Sequence, residues 1–121
     1  MKFKTSLHLS LAFFISLFIF SSVKLFAQAP EKKTETFKVY GNCEMCQETI
    51  ESALKKKDGI FKKEWSPKTK MLTVSYDPSK ITLTQIKQKI ADAGYDTDEI
   101  HAKDQAYYNL HKCCQYERAK N

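Results

Sequence analysis

Residues 39–50, VYGNCEMCQETI, join the end of an alternating run to the start of a helical one, with two cysteines three positions apart at the junction. Upstream, TFKVY (residues 36–40) alternates apolar and polar side chains and is rich in strand formers, so it predicts a strand. Downstream, Cys46, Ile50, Ala53 and Leu54 recur at spacings of three and four, which lays one apolar stripe along a helix. Lysines 55–57 followed by Asp58-Gly59 suit the end of that helix, where positive charge meets the negative pole of the dipole. The stretch is therefore a strand-to-helix turn, with Cys43 in its loop and Cys46 in the first helical turn.

Further along the chain, IFKKEW (60–65) and MLTVSY (71–76) predict two strands joined by a turn around Ser66 and Pro67. In the second, Leu72, Val74 and Tyr76 share one face. A Ser or Thr cap then opens a helix over residues 83–93, with Ile86, Ile90 and Ala93 on its stripe and Gly94 as its stop. Residues 95–100 predict a weak fourth strand, crowded by Asp96, Asp98 and Glu99. The order strand, helix, strand, strand, helix, strand is an α+β, ferredoxin-like βαββαβ sandwich with two helices on one face of an antiparallel sheet.

The ends read differently. Lys2 and Lys4, the apolar run 7–20 and the small polar stretch to Ala27 predict a signal peptide over residues 1–27, cut after Ala27. The apolar run is shorter than the roughly 20 residues a membrane span needs. Cleavage removes Lys2, Lys4 and Lys24, so the formal charge falls from +6 to +3. Such a mildly basic chain, its lysines interspersed with acids, gives no footprint for nucleic acid. Residues 28–35 predict a flexible tether, 36–101 the domain, and 102–121 a polar tail with adjacent cysteines. The mature chain is long enough to bury a core without staples, since that need sets in below about 40 residues.

At a helix start, partial positive charge and unpaired N–H groups favour thiolates, which serves metal binding and disulfide exchange equally. Two thiolates with no carboxylate or imidazole beside them suit a soft ion such as Cu(I), which accepts two or three sulfurs; Zn(II) prefers four donors. Glu44 is expected to face solvent and Met45 to lie under the loop as a core residue rather than as a ligand.

The CxxC loop in this βαββαβ order, together with "AGY" at residues 93–95, resembles the heavy-metal-associated domain of copper chaperones, copper-exporting ATPases and periplasmic mercury-binding proteins. The resemblance covers residues 36–100. It implies that Cys43 and Cys46 are the metal ligands and that Tyr95 shields the site. The family's usual Gly-Met-x-Cys-x-x-Cys is shortened here, because only Asn42 separates Gly41 from Cys43. Met45 is placed to fill the missing methionine's space from the other side.

Cys113 and Cys114 are neighbours, and a disulfide between neighbours strains its backbone. They read better as ligands. A loosely coiled tail of this length reaches roughly 25 Å, far enough to bring Cys113 and Cys114 to Cys43 and Cys46 as a four-thiolate site or small copper cluster. Two disulfides, in any of three pairings, are the competing arrangement in an oxidising compartment. His101 and His111 are expected to be exposed rather than ligating. Tyr107, Tyr108 and Leu110 are expected to dock the tail, Phe61 and Trp65 to be covered sheet residues, and the lysines of 55–57 and 62–63 to be solvated.

The function expected is an exported, periplasmic or secreted carrier or scavenger of Cu(I), with Hg(II) or Zn(II) as further cargoes, working by thiolate exchange. Its partners are the metal ion and a metal-transporting membrane protein or another carrier. It is expected to be a monomer, or a metal-bridged dimer, and not an enzyme: no triad, carboxylate pair or phosphate loop is present. The alternative, a thiol-disulfide oxidoreductase using the CxxC pair, lacks a proline before a late strand, since Pro30, Pro67 and Pro78 fall in the tether and two turns.

Overall fold

The computed structural model describes residues 29–120, and the signal peptide expected over 1–27 lies outside them. Strand β1 (Lys33–Lys38) leads into helix α1 (Glu44–Ser52), a 3-10 turn (Lys56–Asp58), β2 (Ile60–Trp65), β3 (Met71–Tyr76) and α2 (Leu83–Asp92). A short helix α3 (Asp104–Tyr108) and a second 3-10 turn (Lys112–Cys114) follow in the tail. Among the described residues no helix is long and apolar enough to cross a membrane.

The sheet is antiparallel in the order β1-β3-β2. Strand β1 starts inside the segment read as a tether: Lys33, Thr34 and Glu35 pair with Tyr76, Ser75 and Val74. The Thr34 and Ser75 hydroxyls bond across that pair at 2.7 Å. Alternation of side chains sends Phe37, Leu72, Val74, Tyr76 and Trp65 into one core. There they meet Cys46 and Ile50 of α1 and Ile86 and Ile90 of α2. Phe61, expected to be covered, stands 48% exposed on β2.

Helix α2 starts where Thr82 accepts a hydrogen bond from the Gln85 N–H while the Gln85 side chain accepts one from the Thr82 N–H. It stops at Gly94, whose φ of 105° favours glycine. A Cβ there would also lie 2.8 Å from the Ala106 carbonyl, so the bare backbone lets the tail approach.

The fourth strand shrinks to one bridge, Val39 with Thr97, flanked by hydrogen bonds from Tyr40 N to Asp96 O (2.9 Å) and Asp98 N to Lys38 O (3.1 Å). The acids that crowd it are occupied elsewhere. Asp98 and Glu99 each hold the buried Lys87 ammonium at 2.9 Å, and the Thr97 hydroxyl accepts the N–H groups of Glu99 and Ile100, which turns the chain away. The architecture remains the ferredoxin-like α+β fold, with its two helices serving the same core.

Candidate metal centre

Trp65 sets the position of the CxxC loop. Its indole N–H donates to the Val39 carbonyl at 3.0 Å, and its backbone N–H donates to Glu51 of α1 at 3.0 Å, so the residue just after β1, strand β2 and helix α1 are joined at one side chain and its backbone. The ring lies where a Gly41 side chain would go: a Cβ there would meet it at 3.0 Å and the Cys46 Cβ at 3.3 Å. Gly41 therefore lets the loop close down on the tryptophan, and the following residues carry the two sulfurs.

Cys43 is the N-cap of α1, half-buried, and Cys46 is fully buried one turn on. Their Sγ atoms lie 4.0 Å apart. Three sulfurs around one metal at about 2.3 Å in a plane would stand about 4.0 Å from each other, and four in a tetrahedron about 3.8 Å. The spacing fits either arrangement. Burial works against a Cys46 thiolate, yet the N–H groups of Asn42 and Cys43 hold its pKa below the ordinary value; the Asn42 N–H lies 3.3 Å from the sulfur. Loop amides are thus the largest stabilisers of this thiolate.

The tail folds over this loop. The sulfurs of Cys43, Cys113 and Cys114 lie within 4.8 Å of one another, and all four cysteines are free thiols. Cys114 is buried beside Cys46; burial, and then the neighbouring Cys46 sulfur, push its pKa well up. Cys113 is exposed, with its backbone carbonyl held by the Asn42 side chain at 3.2 Å. Met45, expected in the core, is 45% exposed, and its Sδ lies 3.6 Å from Cys113 Sγ. It follows Glu44 on the side of α1 away from the Cys46 and Ile50 stripe, so it meets the tail and not the core.

Four side chains fix the tail. Tyr116 stacks on Tyr95 with ring centroids 5.6 Å apart, accepts the Asp96 N–H at 2.7 Å and donates to the Gly94 carbonyl at 2.8 Å. Tyr107 packs edge-on against Tyr116 and donates to its carbonyl at 2.7 Å. Arg118 forks onto the fully buried Asp96. Leu110 packs on the core as expected, whereas Tyr108 is 67% exposed. His101 and His111 are both exposed, and neither joins the sulfur group. The anchoring roles of Tyr116 and Arg118, and of Asp96 as their partner, are not evident from the sequence, although the aromatic density of YYNLHKCCQYER signals a segment that packs.

Tyr95 is the remaining wall. It is fully buried beside Cys46 and Cys114, and its hydroxyl has no hydrogen-bond partner among the described residues. Burial and then the Cys46 charge raise its pKa far above the usual phenol value, so it stays a donor. An unpaired buried donor facing thiols fits a site that is completed when a sulfur there carries charge.

A strand-to-helix loop with two near thiols on a small α+β domain defines a class of soft-metal-binding domains. The chain belongs to the heavy-metal-associated domain family, whose signature matches residues 36–96. It is 40% identical over 82 residues to the mercuric transport protein periplasmic component of Shewanella putrefaciens, covering 67% of this chain and 87% of that one. It is 38% identical over 64 residues to copper chaperone CopZ of Staphylococcus saprophyticus, covering 52% and 94%. The solved structure of a CopZ metallochaperone superposes with a TM-score of 0.51 at 35% identity, covering 54% of this chain and 98% of that one.

Proposed function

We propose that the chain is an exported carrier of a soft metal ion, Cu(I) first and Hg(II) second, bound by Cys43 and Cys46 and closed by Cys113 and Cys114. Zn(II) would be accepted only where all four thiolates engage. The carrying observation is that the Cys43 and Cys46 sulfurs stand 4.0 Å apart while Cys113 and Cys114 are brought within 4.8 Å of Cys43. Likeness to a periplasmic mercuric transport component and to copper chaperones supports the cargo, and the leader read at residues 1–27 supports export.

The metal passes on by stepwise exchange. An acceptor thiolate, on a metal-transporting membrane protein or another carrier, joins the ion as one protein sulfur leaves, so the oxidation state never changes. No substrate bond is made or broken, and the protein acts as a carrier rather than an enzyme.

Competition for Cu(I) against a chromophoric chelator tests this reading. The Cys43→Ser/Cys46→Ser protein should lose high-affinity binding while keeping its fold. The Cys113→Ser/Cys114→Ser protein should bind more weakly than the parent, with fewer sulfurs around copper by X-ray absorption. Unchanged affinity and sulfur count in the tail variant would remove the tail from the site.

A further inference from the structure

Resting on that reading, the geometry points to Cys113, assisted by the Met45 thioether, as the sulfur through which the metal is exchanged with the outside. Access decides which sulfur exchanges. A partner's thiol must touch the ion before any protein sulfur lets go, so the exchanging ligand has to be the one that solvent reaches. Cys46 is 0% exposed and Cys114 2%. Cys43 is half-buried, and the segment Lys112–Cys114 is tied across its loop by the Asn42 bond to the Cys113 carbonyl. Cys113 alone of the four presents an exposed side chain.

Beside it is a second soft donor. Met45 Sδ lies 3.6 Å from Cys113 Sγ, and both residues are exposed. A thioether carries no charge and binds soft metals weakly. It is therefore suited to holding the ion briefly while one thiolate replaces another. The five sulfurs thus form a gradient from the buried Cys46 and Cys114 through Cys43 to Cys113 and Met45 at the surface.

The step balances without redox chemistry. As the acceptor's sulfur bonds the metal, its thiol proton goes to solvent; the bond from the metal to Cys113 breaks with its electron pair staying on sulfur, and that thiolate takes a proton from solvent. The ion then leaves the inner sulfurs in turn.

The alternative role for this segment, a lid that merely blocks release, predicts the opposite sign. The test is stopped-flow transfer of Cu(I) from the loaded full chain to a chromophoric Cu(I) chelator, with equilibrium affinity measured on the same proteins. Cys113→Ser should slow transfer by roughly tenfold, a modest rise in barrier, and Met45→Leu should slow it in the same direction by less. Faster or unchanged transfer from Cys113→Ser would overturn the inference. Failure of the parent chain to take Cu(I) from the chelator at all would instead overturn the carrier reading, and this inference with it.

Discussion

Arg118 grips Asp96 through two parallel hydrogen bonds, Nε to Oδ2 at 3.0 Å and Nη2 to Oδ1 at 2.8 Å, and so ties the end of the tail to the end of the domain. The carboxylate has no exposed surface, and the N–H groups of Ala102 and Ala119 complete its shell at 2.8 and 3.2 Å. Removing one partner of a buried pair leaves the other uncompensated, at a cost of about 3 kcal/mol. Arg118→Ala should therefore lower the urea midpoint and open the tail to trypsin at Lys112. An intact tail in that variant would show that the tyrosines alone hold it.

The same pair sets an acid limit. Burial would raise the Asp96 carboxyl, but Arg118 and then the Ala102 N–H outweigh it and hold the pKa below the usual carboxylate value. With the folded value depressed, the stabilisation is fully present above the unfolded value of about 3.9 and is lost as pH falls through the lower folded value. Tail docking, read by protease sensitivity, should persist at pH 5 and fail only in stronger acid. Asp96→Asn should abolish that acid dependence and dock less firmly at neutral pH.

Tyr95 carries a prediction of opposite sign in the two states. In the metal-free chain its buried hydroxyl has no partner among the described residues, so Tyr95→Phe removes an unsatisfied donor and should leave the melting temperature unchanged or higher. In the metal-bound chain a charged sulfur offers that donor an acceptor, and a hydrogen bond to a charged group is worth about 1.5 to 3 kcal/mol. Cu(I) affinity should then fall by roughly tenfold or more. Equal affinity in the variant would mean that Tyr95 acts only as a wall.

How far the sequence discloses this arrangement depends on the range of the contacts. Period and punctuation suffice for β2, β3 and α2, because alternation in MLTVSY and the cap and stop around α2 are local. The start of β1 is hidden, since Lys33, Thr34 and Glu35 look like tether until Ser75 and Tyr76 arrive beside them. Asp98 and Glu99 read as spoilers of a strand, and only the fold reveals Lys87 between them. The CxxC pair is legible from spacing. The meeting of Met45 with Cys113 is not, because it depends on a tail anchored by Tyr116 and Arg118.

Exposure and charge together order the thiols by reactivity. Cys113 is open to reagent, Cys43 partly so, and Cys46 and Cys114 are closed off despite the lowered pKa of Cys46. Iodoacetamide on the reduced, metal-free protein, followed by peptide mass mapping, should label Cys113 first, Cys43 next, and Cys46 and Cys114 only on unfolding. Arg118→Ala should raise the labelling of Cys114 by releasing the tail. Early labelling of Cys46 would show the loop to be open.

Gly41 is where the fold and the centre meet most tightly. An added Cβ would press the Trp65 ring at 3.0 Å, and that ring is fixed from behind by its bond to the Val39 carbonyl. The strain must go into the loop, where Cys46 is the next neighbour at 3.3 Å. Overpacking of this kind costs about 1–3 kcal/mol, and displacing Cys46 also disturbs the Asn42 N–H that supports its thiolate. Gly41→Ala should therefore lower stability and Cu(I) affinity together, whereas Gly59→Ala, at a positive-φ turn away from the sulfurs, should lower stability alone. Chemical denaturation and chelator competition on the two variants separate the cases, and an affinity loss from Gly59→Ala as large as that from Gly41→Ala would show that general loosening, not the position of Cys46, governs binding.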